Sequence, residues 1–357
     1  MNKYYTRACN FYYGKNATKL IKKKLALPLC GNKNIAFDKI EIFKRNKHKT
    51  LSKIISFKKI KSLGPLCKSK VKKDLKKITS KRKKFLNNID FNKPTIMGIL
   101  NLTPDSFSDG GKFNNEKKSY LHISNMIKAG ANIIDVGGES TRPGSKTVPV
   151  KSEWKRIEKV IKNFKKKHKN ICLSLDTRKS EIMLKGIKSG VNLINDVSGF
   201  NYDETSLIKL KKFNIAKVIH HMQGTPNNMQ KNPKYKNVLL DIYDYFEERI
   251  NFVRSKGIKH NNILIDPGIG FGKNLKHNIT LISKISIFHS LGLPIVLGIS
   301  RKKFIKDMSG KNDSKYRIGG TIGAALFTLL QGVQILRVHD VNEIIQSVKI
   351  FKNLLNK

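Results

Sequence analysis

GANIIDVGGESTRPGS (130–145) joins a short apolar run, broken only by Asn132 and Asp135, to a turn that no core can use. That turn carries a carboxylate, three hydroxyls, an arginine, a proline and glycines. Comparable runs rich in Ile, Val and Leu recur from Pro94 onward: TIMGILNLT, ICLSLDT, VNLINDVSG, IAKVIHHM, NILIDPGIG, PIVLGIS and VQILRVHD. Continuous rather than alternating hydrophobicity marks strands covered on both faces, as in parallel sheets. Between most runs lie stretches with helical spacing, such as EWKRIEKVIKNFKKKH and VLLDIYDYFEERINFVRSKG. Several of these stretches close on a glycine suited to a left-handed cap, at Gly130, Gly190 and Gly257. Eight such strands alternating with helices fit an α/β chain built as a (β/α)8 TIM barrel. A doubly wound sheet is the runner-up on pattern alone, because strand counting cannot see closure.

Ahead of the barrel the character differs. The whole chain has 72 Lys+Arg against 25 Asp+Glu, a formal charge of +47, and residues 1–84 hold 27 of those cations with 3 acids. The remaining excess is spread diffusely and reads as a compositional bias rather than a patch. Nucleic acid is therefore expected to adhere only nonspecifically, through the basic segment. Residues 1–90 carry lysine runs such as IKKKL and KVKKDLKK with weak periodicity, and read as a basic, flexible, largely disordered N-terminal extension. Residues 91–357 form the barrel domain. The cysteines at 9, 30, 67 and 172 form no CxxC pair, which points to a reducing, cytoplasmic setting. The lysine-rich start leaves an organelle-targeting role open. No apolar stretch is long enough to span a bilayer, so no membrane association is expected.

At or just past the carboxyl end of each apolar run stands a group a core rejects: Asn101, Glu139 with Arg142, Asp176, Asn195, His221, Asp266, Lys302, and Arg337 with His339. In a barrel these ends converge on one mouth, where active sites are built. Taken singly, Asp176 could cap a helix, Asn195 and Asp196 could form turns, and Arg301 and Lys302 could be solvated charges. Gathered at one rim they make a site for a ligand that offers both hydrogen-bond donors and negative charge. The glycine-rich DPGIGFGKN does not match a phosphate loop, since Pro267 stands for the first glycine and Asn274 follows Gly272-Lys273. It does not match a dinucleotide turn either, because Lys273 takes the third glycine's place. A tight turn letting backbone approach a flat ligand is the better reading.

GILNLTPDSFSDGG (98–111), GANIIDVGGESTRPGS (130–145), LSLDTRKSE, INDVSG, HHMQGTP, IDPGIGFGKN, GISRKK and LRVHDV, in this order, resemble the dihydropteroate synthases over residues 94–345. The resemblance implies a homodimeric barrel enzyme of folate synthesis. Such an enzyme joins 6-hydroxymethyl-7,8-dihydropterin pyrophosphate to p-aminobenzoate, giving 7,8-dihydropteroate and pyrophosphate, with Mg2+ as cofactor and sulfonamides as inhibitors. It implies that Asp176, Asn195 and Asp266 hold the pterin, with Lys302 donating to the ring and Met222, Phe271 and Gly298 walling its faces. Asn101, Arg337 and His339 are then expected at the pyrophosphate, with Asn101 as the metal ligand. The loop from Thr103 to Phe113, with Asp109, and the loop after the second strand are expected to close over the site. Arg142 would meet the pyrophosphate and Thr141 and Pro143 would frame p-aminobenzoate. Ser300, at the start of the helix after strand seven, would receive the carboxylate. RIGGTIGAALF is richer in glycine than expected, and neither His220 nor His221 is given a catalytic role. The rival readings are a related pterin-binding methyltransferase, which has no need of an arginine-bearing lid, and an RNA-binding protein on an inactive barrel. No phosphate loop precedes the barrel, so no fused pyrophosphokinase is expected.

Overall fold

In the computed structural model, residues 2–47, 49–86, 89–103 and 116–355 are described. The first eighty residues fold into β1 (Lys3–Tyr13), α1 (Gly14–Lys22), β2 (Leu27–Leu29), β3 (Asn32–Arg45), β4 (Thr50–Ser56) and α2 (Pro65–Thr79). β3 is the spine of an antiparallel sheet. It pairs with β1 along one side, and with β2 and then β4 along the other.

This corrects the expectation of a disordered extension. Ala8, Phe37, Ile40, Ile42, Cys67, Val71 and Ile78 form a buried cluster of their own, while the lysines keep their ammonium groups outward. A few ion pairs also tie this segment to the barrel. Lys3 reaches Asp244 and Glu247 at 2.7 Å each, Arg45 reaches Asp241 at 2.7 Å, and Glu41 receives both Arg7 at 2.7 Å and Lys284 at 2.8 Å. These contacts, with Ser286 Oγ donating to the Ala8 carbonyl at 2.9 Å, fasten the sheet onto the side of the barrel.

The barrel strands are β5 (Thr95–Asn101), β6 (Ile133–Gly137), β7 (Cys172–Asp176), β8 (Leu193–Asp196), β9 (Ala216–His220), β10 (Ile263–Asp266), β11 (Val296–Gly298) and β12 (Ile335–Val338). All eight are parallel, in the order β10-β9-β8-β7-β6-β5-β12-β11, and an Ile265–Ile295 bridge closes the ring beside β11. The barrel expected from the sequence is the one observed. Around it run α3 (Glu116–Ala129), α4 (Val150–Lys167), α5 (Ser180–Lys188), α6 (Ser206–Leu210), α7 (Val238–Ser255), α8 (Leu275–Ser283), α9 (Lys303–Ser309), α10 (Ile318–Leu330) and α11 (Val341–Leu355). α4 shows why these stretches are helical. Its stripe of Ile157, Val160, Ile161 and Phe164 is buried, and Lys165–Lys167 sit where a helix's negative end favours cations. Gly130 and Gly257 take φ of 113° and 90° just past α3 and α7, which a side chain would strain.

The barrel interior is sorted by layer. Met97, Ile133, Cys172, Leu193, Val218, Leu264, Val296 and Ile335 form an apolar floor, plugged from below by Ile89 with Phe85, Leu86 and Phe91. Residues two apart on a strand share a face. One step up from that floor, the same inner face therefore carries Asp135, Ser174, Asn195, His220, Asp266, Gly298 and Arg337.

Candidate active site

Arg337 organises the mouth. Its Nε donates to Asp135 Oδ2 at 2.6 Å and its Nη2 to Asp176 Oδ2 at 2.8 Å. Asp135, fully buried, also accepts from Ser174 Oγ and, at 3.1 Å, from Asn195 Nδ2. With its Nδ2 committed inward, Asn195 has its Oδ1 left as an acceptor for a ligand. Asp135 and Ser174 carry no strand-end signal in the sequence because they lie inside the apolar runs of β6 and β7. A strict count by twos from the floor residues finds both.

Burial raises the Asp176 carboxyl to about 8, against the pull of Arg337 and with help from the nearby Asp135 charge. Desolvation prevails because one guanidinium serves two carboxylates in a site with little water. Asp266, at the end of β10, accepts the Gly268 N–H at 2.8 Å, and burial raises its carboxyl too. Lys302 donates to the Ile269 carbonyl and lies 4.6 Å from the Phe271 ring centroid. Burial lowers its ammonium to about 8, opposed by Asp266 and aided by Arg337.

A Cβ built on Gly298 would lie 3.6 Å from Lys302 Nζ, 3.9 Å from Asp266 Oδ2 and 4.0 Å from Arg337 Cδ. Any side chain there would occupy the space on which these three groups converge. Phe271 meets the His220 ring edge-on at 4.6 Å, so its ring is held upright at the rim. Met222, half-buried, follows the β9 strand end.

On the other side of Arg337, His339 donates its backbone N–H to Ser300 Oγ at 3.2 Å, and its Nδ1 lies 3.0 Å from the same oxygen. Burial lowers this imidazole to about 3, reinforced by the charges of Arg337, Arg301, Arg142 and Lys302. Arg142 is therefore within electrostatic reach of His339, although Arg142 and Pro143 are exposed and Thr141 is half-buried. Asn101 ends β5 opposite Gly137, and its Oδ1 is 3.5 Å from where a Gly137 Cβ would stand, beside Asp176. The loop with Asp109 lies outside the described residues; Thr103, at its near edge, is buried.

Three expectations change. Ser300 does not begin a helix: α9 starts at Lys303 with Lys302 as its cap, and the intervening Arg301 takes φ of 57°. That backbone turn is held by Arg301's ion pair with Asp340 and its N–H bond to Thr321 Oγ1 at 3.0 Å. Glu139 faces away from the mouth and receives Arg178 Nε at 3.2 Å, Lys179 at 3.1 Å and the Val148 N–H at 2.9 Å. With Glu153 gripping Lys179 and Thr177, it anchors both ends of the second loop. His221 turns toward the buried Lys273, whose Nζ is 3.0 Å from its Nδ1, and so does not reach the rim. Asp196 is the turn former of its pair, accepting from Ser198 and Phe200 N–H at 2.8 and 3.1 Å.

Among the described residues no group of three His, Cys, Asp or Glu side chains could hold a metal ion. None of the described helices is long and apolar enough to cross a membrane.

The pterin binding enzyme family matches residues 97–339. The dihydropteroate synthase of Escherichia coli K12 is 39% identical over 269 residues, covering 75% of this chain and 94% of that relative. The crystal structure of the Yersinia pestis dihydropteroate synthase with a sulfonamide drug superposes with a TM-score of 0.73 at 38% identity, over 75% of this chain and 97% of that one. That of Xanthomonas albilineans with 4-aminobenzoic acid gives 0.69 at 34% identity, over 74% and 94%.

Proposed function

This chain belongs to the dihydropteroate synthase family of pterin-binding enzymes, and from that premise we propose how its residues divide the work. The reaction joins 6-hydroxymethyl-7,8-dihydropterin pyrophosphate to p-aminobenzoate in folate biosynthesis. The methylene–oxygen bond breaks, pyrophosphate leaves, and the aniline nitrogen forms the new bond and sheds its proton. The observation that carries the assignment is the convergence, on the space above Gly298, of acceptors and cations in one mouth.

A pterin offers an amino group and ring N–H groups, which need acceptors. Asp176, Asp266 and the Oδ1 of Asn195 supply them. Its ring oxygen or nitrogen needs a donor, and Lys302 is the cation between Asp266 and the Phe271 face. Phe271 and Met222 wall the flat ring. When C–O cleavage runs ahead of attack, positive charge appears on the pterin methylene and negative charge on the departing group. Asp176 faces the first, and Arg337, His339 and Arg142 face the second. No general base is required, since the aniline lone pair is already free. Thr141 and Pro143 frame p-aminobenzoate, and Ser300 meets its carboxylate from the strap between β11 and α9.

Magnesium fits this donor set. The ion takes hard oxygens and prefers to keep waters and substrate phosphates rather than a protein cage. Asn101 is the side chain placed to give it an amide oxygen, and bound there it would offset charge on the pyrophosphate.

We further propose a homodimer in the cytoplasm, inhibition by sulfonamides that compete with p-aminobenzoate, and only nonspecific nucleic-acid binding through the lysines of residues 1–90. Exposed Phe327, Ile350 and Leu354 on α10 and α11 offer apolar surface to a second copy, which light scattering tests. The function itself is tested by pyrophosphate release from pterin pyrophosphate, Mg2+ and p-aminobenzoate. Release is expected to need both substrates and to vanish in Asp176→Ala; a folded protein that releases none overturns the reading.

A further inference from the structure

The floor of the barrel, opposite the mouth, holds a second cavity. Where the N-terminal sheet meets the barrel, a partly open pocket of about 210 Å³ lies between Leu29 and Ile35 of the sheet, Phe91 of the connecting segment, Leu329 near the end of α10, Val333 just after it, and Phe351 of α11. Its uncharged polar groups are largely committed to one another. Tyr13 donates its hydroxyl to the Leu330 carbonyl at 3.0 Å, and Asn32 Nδ2 donates to the Asn92 carbonyl at 3.2 Å. Gln334 accepts the Ile295 N–H at 2.8 Å and donates to Cys30 Sγ at 3.4 Å. What remains for a ligand is apolar wall plus two cations, Lys93 and Lys352. No acidic side chain is among the described residues that line the space.

We propose that this cavity is a binding site for a small apolar carboxylate. The volume sets the size, since an apolar cavity of about 150 Å³ takes a benzene ring. A single ring or a chain of about eight carbons therefore matches the space here. The charge sets the headgroup, because both lysines attract an anion and repel an amine. The location sets the consequence. The walls come from the N-terminal sheet and from the barrel alike, so an occupant strengthens their attachment and raises the stability of the whole chain.

The test uses the full chain with octanoate, octanol and octylamine, read by calorimetric titration and by thermal unfolding, in the presence of a saturating sulfonamide to keep the catalytic mouth occupied. Octanoate is expected to bind and raise the Tm, with octanol about tenfold weaker and octylamine weaker still. Lys93→Glu with Lys352→Glu, both at accessible positions, should abolish the preference for the acid over the alcohol. Leu355→Trp, which fills the space from the end of α11, should weaken octanoate about tenfold or more. Absence of binding at millimolar octanoate in the folded protein overturns the proposal. So does equal binding of the alcohol, or undiminished binding in Leu355→Trp.

Discussion

The same eight strands end in opposite chemistry. At the floor, Met97, Ile133, Cys172, Leu193, Val218, Leu264, Val296 and Ile335 close against Ile89 without a charge among them. One inward step above, and for Asp176 a second, Asp135, Asp176, Asn195, Asp266 and Arg337 crowd into a mouth where burial pushes two carboxylates up and a lysine down. The floor gains stability from every apolar contact. The mouth holds desolvated charges that are costly unless a ligand completes them. Substitutions at the two ends should therefore separate folding from catalysis, and the contrast can be broken at several points.

The largest effect is expected at Arg337. Arg337→Ala removes a donor at the developing pyrophosphate charge and leaves Asp135 and Asp176 unpaired, so kcat should fall by about 10³-fold or more. Steady-state assays check this; a loss under tenfold would mean that the mouth is not the chemical centre. Next is the floor. Ile89→Ala should destabilise by roughly 2–4 kcal/mol in chemical denaturation, with KM for p-aminobenzoate unchanged. A shifted KM would show that the two ends are coupled.

A pH profile sharpens the comparison. Asp176 is raised to about 8 and Lys302 lowered to about 8 in the free enzyme. The acceptor form of the first is lost as pH falls, and the donor form of the second is lost as pH rises. kcat/KM should then be bell-shaped with its summit near that value, and Asp176→Asn should flatten the acid limb. The stability signs follow from the same shifts. A raised carboxyl favours the fold below its unfolded value and loses that benefit as pH rises toward 8, while a lowered lysine favours the fold above its unfolded value and loses that benefit as pH falls toward 8.

The smallest effect is expected at the rim of the N-terminal sheet. Lys3→Ala deletes contacts to Asp244 and Glu247 that are partly solvated and should cost at most about 1 kcal/mol, less in high salt. Thermal unfolding at two ionic strengths measures it.

What could be read from the sequence follows the same division. The strands and the polar groups at their ends were legible, because a buried parallel strand is a continuous apolar word and its stop is abrupt. Asp135 and Ser174 were not, since a polar residue inside such a word looks like an imperfection until the layer beneath it is known. Glu139 shows the reverse error. It stands at a strand end, yet its carboxylate is consumed by Arg178 and Lys179, some forty residues later in the chain. The N-terminal sheet was illegible because its small core is scattered among lysines, and two of its cations, Lys3 and Arg45, meet their acids on α7 far along the chain, at positions 241, 244 and 247. Read alone, its lysines and arginines are only unbalanced charge.

The closure of the ring carries one more consequence. Seven of its eight junctions are ladders of several residues, whereas β10 and β11 meet through the single Ile265–Ile295 bridge. The segment leading into β11, residues 285–291, is the one on which β1 and α2 rest, with Ser286 tied to Ala8 and the His289 carbonyl held by Arg82 at 2.9 Å. The added sheet thus works as a buckle across the slackest stave of a cask. In hydrogen exchange, the amides of β11 should owe their slowness to residues 3–79 as much as to their own neighbours in the ring.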